Sequence, residues 1–206
     1  MVDLEPNPPD APSAASGDLS PEQRRLLQRR DASALEVFFE AYFDRVYGYV
    51  RRLLREEHLA EDVTQDVFLQ IHRSLDSYDP ARELRPWVFA IATNKVRDHW
   101  RSKGHREARA AESLDGEDGP TDVPSALPGP DADLVGRELA GQVRAAIDTL
   151  PDGLRMTVLL RVFEGLSFQV IGEILDLNEA TARKRYSRAL EKLRDAMGAE
   201  PSGGDA

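Results

Sequence analysis

Two groups of side chains in this sequence have the types and spacing to do chemistry. His58, Glu61, Asp62 and Asp66 recur at steps of three and four, so a helix would gather them on one face, as a metal site requires. No second cluster of ligands accompanies them, and acids in a first helical turn suit the helix dipole with no metal present. A solvated acidic face is the better reading, with no metal and no cofactor. The second group is basic. Thr93, Asn94, Arg97 and Arg101 fall away from a stripe formed by Val88, Ile91, Ala92, Val96 and Trp100. Amides and guanidiniums donate to phosphate oxygens and base edges, so this face fits nucleic acid. There is no phosphate loop, nucleophile elbow or glycine-rich dinucleotide fingerprint. Cysteine is absent, which removes thiolate nucleophiles, thiolate metal sites and disulfides. His72, His99 and His105 are isolated. The chain is not expected to be an enzyme.

The elements that must position the basic face are helical. Apolar residues at Leu35, Phe38, Phe39, Tyr42, Phe43, Val46, Val50, Leu53 and Leu54 predict a long amphipathic helix over 34–55 with an aromatic core face. A second helix over about 60–75 turns Val63, Val67, Phe68, Ile71 and Leu75 inward. Its first turns carry Glu56, Glu57, Glu61, Asp62 and Asp66 with no Lys or Arg. Ser77 to Leu84 reads as a loop around Asp79-Pro80, and the basic helix follows from Arg85, with Pro86 in its first turn. Ser20-Pro21-Glu22 marks the start of a short helix ahead of all this.

A second basic element lies near the end of the chain. A helix from Leu134 to Leu150, burying Leu139, Val143, Ile147 and Leu150, stops at Pro151-Asp152-Gly153. Another buries Leu154, Val158, Leu159 and Val162 and ends at Gly165. Ser167 then caps a short helix with Val170, Ile171 and Ile174 inward. Gly172 is small where two helices cross, Asp176 stands at a left-handed turn position, Leu177 plugs the turn and Asn178 caps the last helix. That last helix has Ala182, Tyr186, Ala189, Leu190 and Leu193 as its core stripe. Arg183, Lys184, Arg185, Arg188, Lys192 and Arg194 outnumber Glu179 and Glu191 around it. These are the mechanics of a helix-turn-helix whose basic helix can enter a major groove.

The formal net charge is −10, which by itself argues against a free-standing nucleic-acid binder, but its distribution matters more. Arg82–Arg106 carries a net +5, the start of the preceding helix is wholly acidic, and residues 107–133 carry eight acids against Arg109 amid Gly and Pro. The sequence therefore divides into an acidic, Pro-rich tail (1–23), a helical module (24–106), a flexible acidic linker (107–134), a helix-turn-helix module (135–198) and a short tail (199–206). The fold class is all-α: two small helical domains joined by a flexible linker. As a free coil, a linker of this length spans about 30 Å. No apolar run is long enough to cross a bilayer and no signal peptide precedes the fold, so a cytoplasmic protein without membrane insertion is expected.

The segments Ala60-Glu61-Asp62-Val63-Thr64-Gln65-Asp66-Val67-Phe68-Leu69 and Arg85-Pro86-Trp87-Val88-Phe89-Ala90-Ile91-Ala92-Thr93-Asn94, followed by the helix-turn-helix, resemble the extracytoplasmic-function (ECF, group IV) sigma factors of bacterial RNA polymerase. The resemblance covers about residues 34–106 and 135–197 in the family's order. It implies a subunit that binds core RNA polymerase, recognises promoter DNA at −10 and −35 elements and helps melt the −10 DNA. By position, Glu61, Asp62, Gln65, Asp66 and Leu69 would dock the polymerase clamp, the second module meeting the flap. Tyr78, Arg82, Arg85, Trp87, Asn94, Arg97 and Arg101 would serve the −10 element, the Tyr78–Arg85 loop holding a flipped base. Ala180, Thr181, Arg183, Lys184, Arg185, Ser187 and Arg188 would serve the −35 element. Among these, Thr181, Arg185 and Arg188 suit phosphates, and Ala180, Arg183 and Lys184 suit base edges. Departures from the family pattern are Leu84, Ala90, Thr93, Asp176 and Ala180. The resemblance also implies a monomer when free and an anti-sigma factor as a partner. The acidic tail and linker are expected to weaken promoter binding by the isolated chain, and the linker to occupy a basic channel of the polymerase. Competing readings are a stand-alone regulator with a roomy apolar pocket in residues 34–106, and an enzyme.

Overall fold

The computed structural model describes residues 18–112 and 134–198, with side chains over 18–102 and 141–198. Among these residues every regular element is helical. The first module begins with α1 (Pro21–Gln28), whose N-cap Ser20 and Gln23 form a reciprocal capping box. The chain is anchored earlier than the sequence suggests. Asp18 accepts a hydrogen bond from the Tyr42 hydroxyl at 2.7 Å, and Leu19 is buried. Of the segment read as an acidic tail over 1–23, residues 18–23 are therefore tied to the fold, and residues 1–17 lie outside the described residues. Asp31 caps α2 (Ala32–Leu54) through the amides of Ser33 and Ala34. Next come α3 (Glu57–Ser74), a single 3-10 turn (Leu75–Ser77), and α4 (Leu84–Glu112).

Packing of these helices follows their apolar stripes, with one exception. Phe38, Tyr42, Val46, Tyr49, Val50 and Leu53 of α2 are buried against Val63, Val67 and Ile71 of α3 and Val88, Phe89, Ala92 and Val96 of α4. Phe39 and Phe43, expected in the core, instead lie on the surface, 48% and 36% exposed. The apolar stripe of α2 is wider than the groove between its neighbours, so its edge forms a second ridge. α4 also continues as helix to Glu112, six residues into the segment read as linker; the rest of that linker lies outside the described residues.

The second module contains α5 (Leu134–Thr149), α6 (Asp152–Val158), one π turn (Leu159–Phe163), α7 (Phe168–Leu175) and α8 (Glu179–Gly198). The π turn is defined by the Glu164 amide donating to the Leu159 carbonyl, five residues back, at 3.3 Å. It rotates Val162 outward, 56% exposed, where a regular helix would have buried it. Gly165 follows with φ +66. The helix-turn-helix has the expected geometry. Ser167 accepts from the Val170 amide, Asp176 is left-handed at φ 57, and the Asn178 side chain accepts from the Thr181 amide at 2.8 Å. A Cβ on Gly172 would stand 2.6 Å from the Leu177 carbonyl oxygen, so only glycine fits the crossing. Leu190, expected in the core stripe of α8, is 41% exposed, because only Ala182 and Ala189 face fully inward on that helix.

The two modules are packed together. One continuous apolar core runs from Leu19 through Val96 of the first to Leu160, Ile171, Leu175 and Ala182 of the second. Arg155, 2% exposed, sits at the join. Its guanidinium donates to the Ile147, Asp148 and Leu150 carbonyls at the end of α5 and to the Leu53 carbonyl at the end of α2. Helix C-termini leave unpaired carbonyls, and one buried arginine closes two of them at once.

Candidate nucleic-acid interface

The helix-turn-helix is held by α6 and α7 so that α8 presents a free basic face. Buried Ala182 and Ala189 fix the helix against the module. Ala180, Arg183, Lys184, Ser187 and Arg188 are then exposed, and Thr181 and Arg185 half-buried. Asn178, Glu179, Ala180, Arg183, Lys184 and Ser187 line a concave surface at the start of this helix. Arg183 is held in place rather than free to swing: it pairs with Glu179 at 2.8 Å and lies over the Phe168 ring at 4.7 Å. The site residues assigned to the −35 element are therefore brought together on one face.

Those assigned to the −10 element are divided. Arg82, Asn94 and Arg101 are exposed, Arg101 paired with Asp98 at 3.0 Å. Tyr78 is buried, its ring 4.8 Å from that of Trp87 and its hydroxyl donating to the Arg82 carbonyl at 2.7 Å. Gln28 of α1 donates to the Tyr78 carbonyl at 2.7 Å, and Arg24 donates to the Arg82 carbonyl. The loop is thus shaped from beneath by Tyr78 and from outside by α1. Burial raises the Tyr78 hydroxyl pKa above its ordinary value. Arg85 is buried and donates to the Glu164 carbonyl at 3.1 Å. Arg97 donates to the Leu175 and Ile174 carbonyls at 3.0 and 3.4 Å. Neither arginine faces open solvent as Arg82 does.

Sequence reasoning missed the residues facing this arginine row. Glu164 is buried and pairs with Arg45 at 2.5 Å, and Phe163 lies 4.5 Å beneath the Arg52 guanidinium. Burial raises the Glu164 pKa, with Arg45, Arg85 and Arg52 opposing it. These partners lie 79 to 119 residues from Glu164, and nothing local in the sequence links them.

The acidic face of α3 has a different character. Glu61, Asp62, Gln65, Asp66 and Leu69 are all exposed, and Leu69 is an apolar side chain 53% open to solvent. Beside them Phe39 stacks on Phe43 at 4.8 Å and leans on Phe68 at 5.2 Å, continuing the ridge. A shallow groove lined by Leu35, Phe39, Phe68, Ile71, His72 and Leu75 runs along it. Carboxylates beside exposed aromatics make a surface suited to a protein partner with a basic, amphipathic face. His58 lies 3.8 Å from Glu61, and among the described residues no three His, Asp or Glu side chains converge on a metal-sized position. No described helix is long and apolar enough to cross a membrane.

Residues 38–106 match Sigma-70 region 2, and residues 140–193 match Sigma-70 region 4. The chain is 34% identical over 165 residues to the RNA polymerase sigma factor CarQ of Myxococcus xanthus, covering 80% of this chain and 90% of that one. It is 31% identical over 176 residues to the ECF RNA polymerase sigma factor SigW of Bacillus subtilis, covering 84% and 94%. Among solved structures, it shares the fold of the sigma factor RpoE in complex with the anti-sigma factor NepR from Bartonella quintana. The TM-score there is 0.65 at 21% identity, over 82% of this chain and 99% of that one.

Proposed function

The chain belongs to the extracytoplasmic-function sigma factors of the sigma-70 family, and from that premise we propose how its parts divide the start of transcription. As a sigma factor it binds core RNA polymerase and directs promoter recognition. In this reading Glu61, Asp62, Gln65, Asp66 and Leu69 meet the polymerase clamp, with Phe39 and Phe43 extending the apolar part of that contact. The α4 face and the Tyr78–Arg85 loop serve the −10 element. Asn94, Arg97 and Arg101 contact the strand, while Tyr78 and Trp87 set the shape of the loop. α8 reads the −35 element, with Arg183 and Lys184 at base edges and Thr181, Arg185 and Arg188 on phosphates. The chain contributes specificity and no catalysis, and works in the cytoplasm where polymerase and chromosome meet. An anti-sigma factor is a fitting regulator, because the exposed ridge and the basic faces lie on one small chain.

The observation that carries this reading is the pairing of two family regions, in order, with a helix-turn-helix that presents Arg183, Lys184 and Arg188 at its surface. Run-off transcription with purified core polymerase on genomic fragments tests it. Discrete transcripts that depend on the chain are expected, and reversing Asp62 and Asp66 to Lys should abolish capture of core polymerase. Capture that survives both reversals, or transcripts indifferent to the chain, would refute the assignment.

A further inference from the structure

α1 and the residues just after it hold the segment ahead of α4 at three stations. Arg30 donates to the Asp76 carboxylate of the 3-10 turn at 2.9 Å and to the His72 carbonyl at 3.4 Å. Gln28 donates to the Tyr78 carbonyl at 2.7 Å, and Arg24, one helical turn earlier, donates to the Arg82 carbonyl. Residues four apart share a helix face, so Arg24 and Gln28 form a two-point splint along Tyr78–Arg82. The splint is itself fixed. Leu27 is wholly buried, Leu19 is buried ahead of it, and Asp18 holds the Tyr42 hydroxyl at 2.7 Å. At the far station the Arg82 carbonyl accepts from both Arg24 and Tyr78, while the Arg82 amide closes a turn onto the Asp79 carbonyl at 3.0 Å. With both backbone groups committed within the protein, the Arg82 side chain is left 84% exposed. The Nε of Arg24 is buried without a partner. A leucine would carry no such penalty, so packing alone does not account for an arginine at this position.

We infer that Arg24 and Gln28 are positioning residues for the loop that serves the −10 element: they fix the course of its backbone before DNA arrives, and so set which unpaired base the loop accepts. The inference rests on the assignment of that loop to −10 DNA. Holding a base outside the stack is unfavourable, and a loop that had to order itself at the same moment would add its own entropy loss. A splinted loop has already lost that freedom on folding. Selectivity follows from the same stiffness, since a loop that cannot adapt rejects bases of the wrong shape. Neither Arg24 nor Gln28 needs to touch the base.

The test is run-off transcription by the full chain with purified core polymerase. The templates vary one promoter recovered by that assay, a single base at a time, through its −10 and −35 elements. The wild type should favour one base strongly at the captured −10 position. Arg24→Leu combined with Gln28→Glu, an isosteric change that turns a donor into an acceptor, should reduce that preference about tenfold and leave the −35 preferences unchanged. Arg24→Lys with native Gln28, which keeps a donor at both stations, should retain most of it. Residues that served stability alone would lower every yield in parallel and leave the ratios between templates intact. If the double variant does not fold by circular dichroism, Gln28→Glu alone is read in the same way, with a smaller loss of preference. A folded variant that keeps the wild-type −10 ratios, or one that loses −10 and −35 preferences alike, overturns the inference. A wild type indifferent to every −10 base would instead remove the assignment of the loop and the inference with it, so the two failures are told apart.

Discussion

Helices α4 and α8 carry similar excesses of Arg and Lys, yet their surroundings differ. On α8, Lys184 and Arg188 are exposed, Arg183 is restrained by Glu179 and the Phe168 ring, and Arg185 is half-buried. Around the start and middle of α4, Arg85 and Arg97 are absorbed by carbonyls of the other module, and Arg45 of α2 by Glu164. Charge counted along a helix therefore says where a polyanion could bind, while availability depends on acceptors supplied from elsewhere in the same chain. The difference also separates two kinds of stability. The α8 face depends on its own module, whereas the α4 face depends on the join between modules.

The largest effect on this contrast should come from Arg155→Ala, which strips carbonyls of α5 and α2 of a buried donor. A loss of about 3 kcal/mol is expected in urea unfolding, together with weakened closure of the modules. A loss below about 1 kcal/mol would mean that water replaces the guanidinium and that the join lies elsewhere. Next comes Gly172→Ala, whose Cβ would press on the Leu177 carbonyl. It should cost about 2 kcal/mol, and duplex binding by α8 should fall while α1–α4 stay protected in hydrogen exchange. Asn178→Ala and Ser20→Ala remove one N-cap from each module and should each cost about 1 kcal/mol. If both lower the melting temperature of one shared transition, the modules unfold together. Two transitions, each sensitive to one cap, would separate them.

The smallest effect is a pH dependence of closure. Glu164 faces Arg45, Tyr49 and Arg52 of α2 and Arg85 of α4, and burial holds its carboxyl above its ordinary value despite those cations. In the opened chain the carboxyl returns to its ordinary value, so closing takes up protons. Closure is favoured as pH falls, with the contribution fully present below the ordinary value and lost as pH rises through the raised one. Urea unfolding measured across that interval should show the slope in the wild type and lose it in Glu164→Gln. A slope in the opposite direction would mean that the attraction of the arginines outweighs desolvation.

Much of the fold was legible in the sequence because its signals are local. Ser20 and Asn178 are capping residues placed just ahead of periodic apolar runs, Asp176 marks the left-handed turn, and Gly172 is needed where α7 meets the turn. The α8 face was legible for the same reason: Ala182 and Ala189 fix its orientation, and the cations are what remains. Phe39 and Phe43 misled because a wide apolar stripe says nothing about how much of it the neighbouring helices can cover. Val162 misled because a π turn breaks the period from which burial is read. The pairing of Arg45 with Glu164 and of Arg97 with α7 could not be read at all, since contact between half-apolar faces of distant segments has no sequence period. The sequence placed Arg85 and Arg97 on a basic helix; only the packed chain assigns them their present acceptors.

The π turn at Leu159–Phe163 sets the register of the whole arrangement. A turn that accommodates one extra residue shifts all that follows by one angular step, about 100° around the axis. Because of that shift Val162 and Phe163 point outward while Glu164 points in toward Arg45. Chain length in this turn, more than the identity of any side chain, therefore decides whether the carboxylate reaches the arginines. Deleting Val162 would leave the helix-turn-helix complete and swing its anchor away, loosening the join between the modules while the last helix keeps its fold.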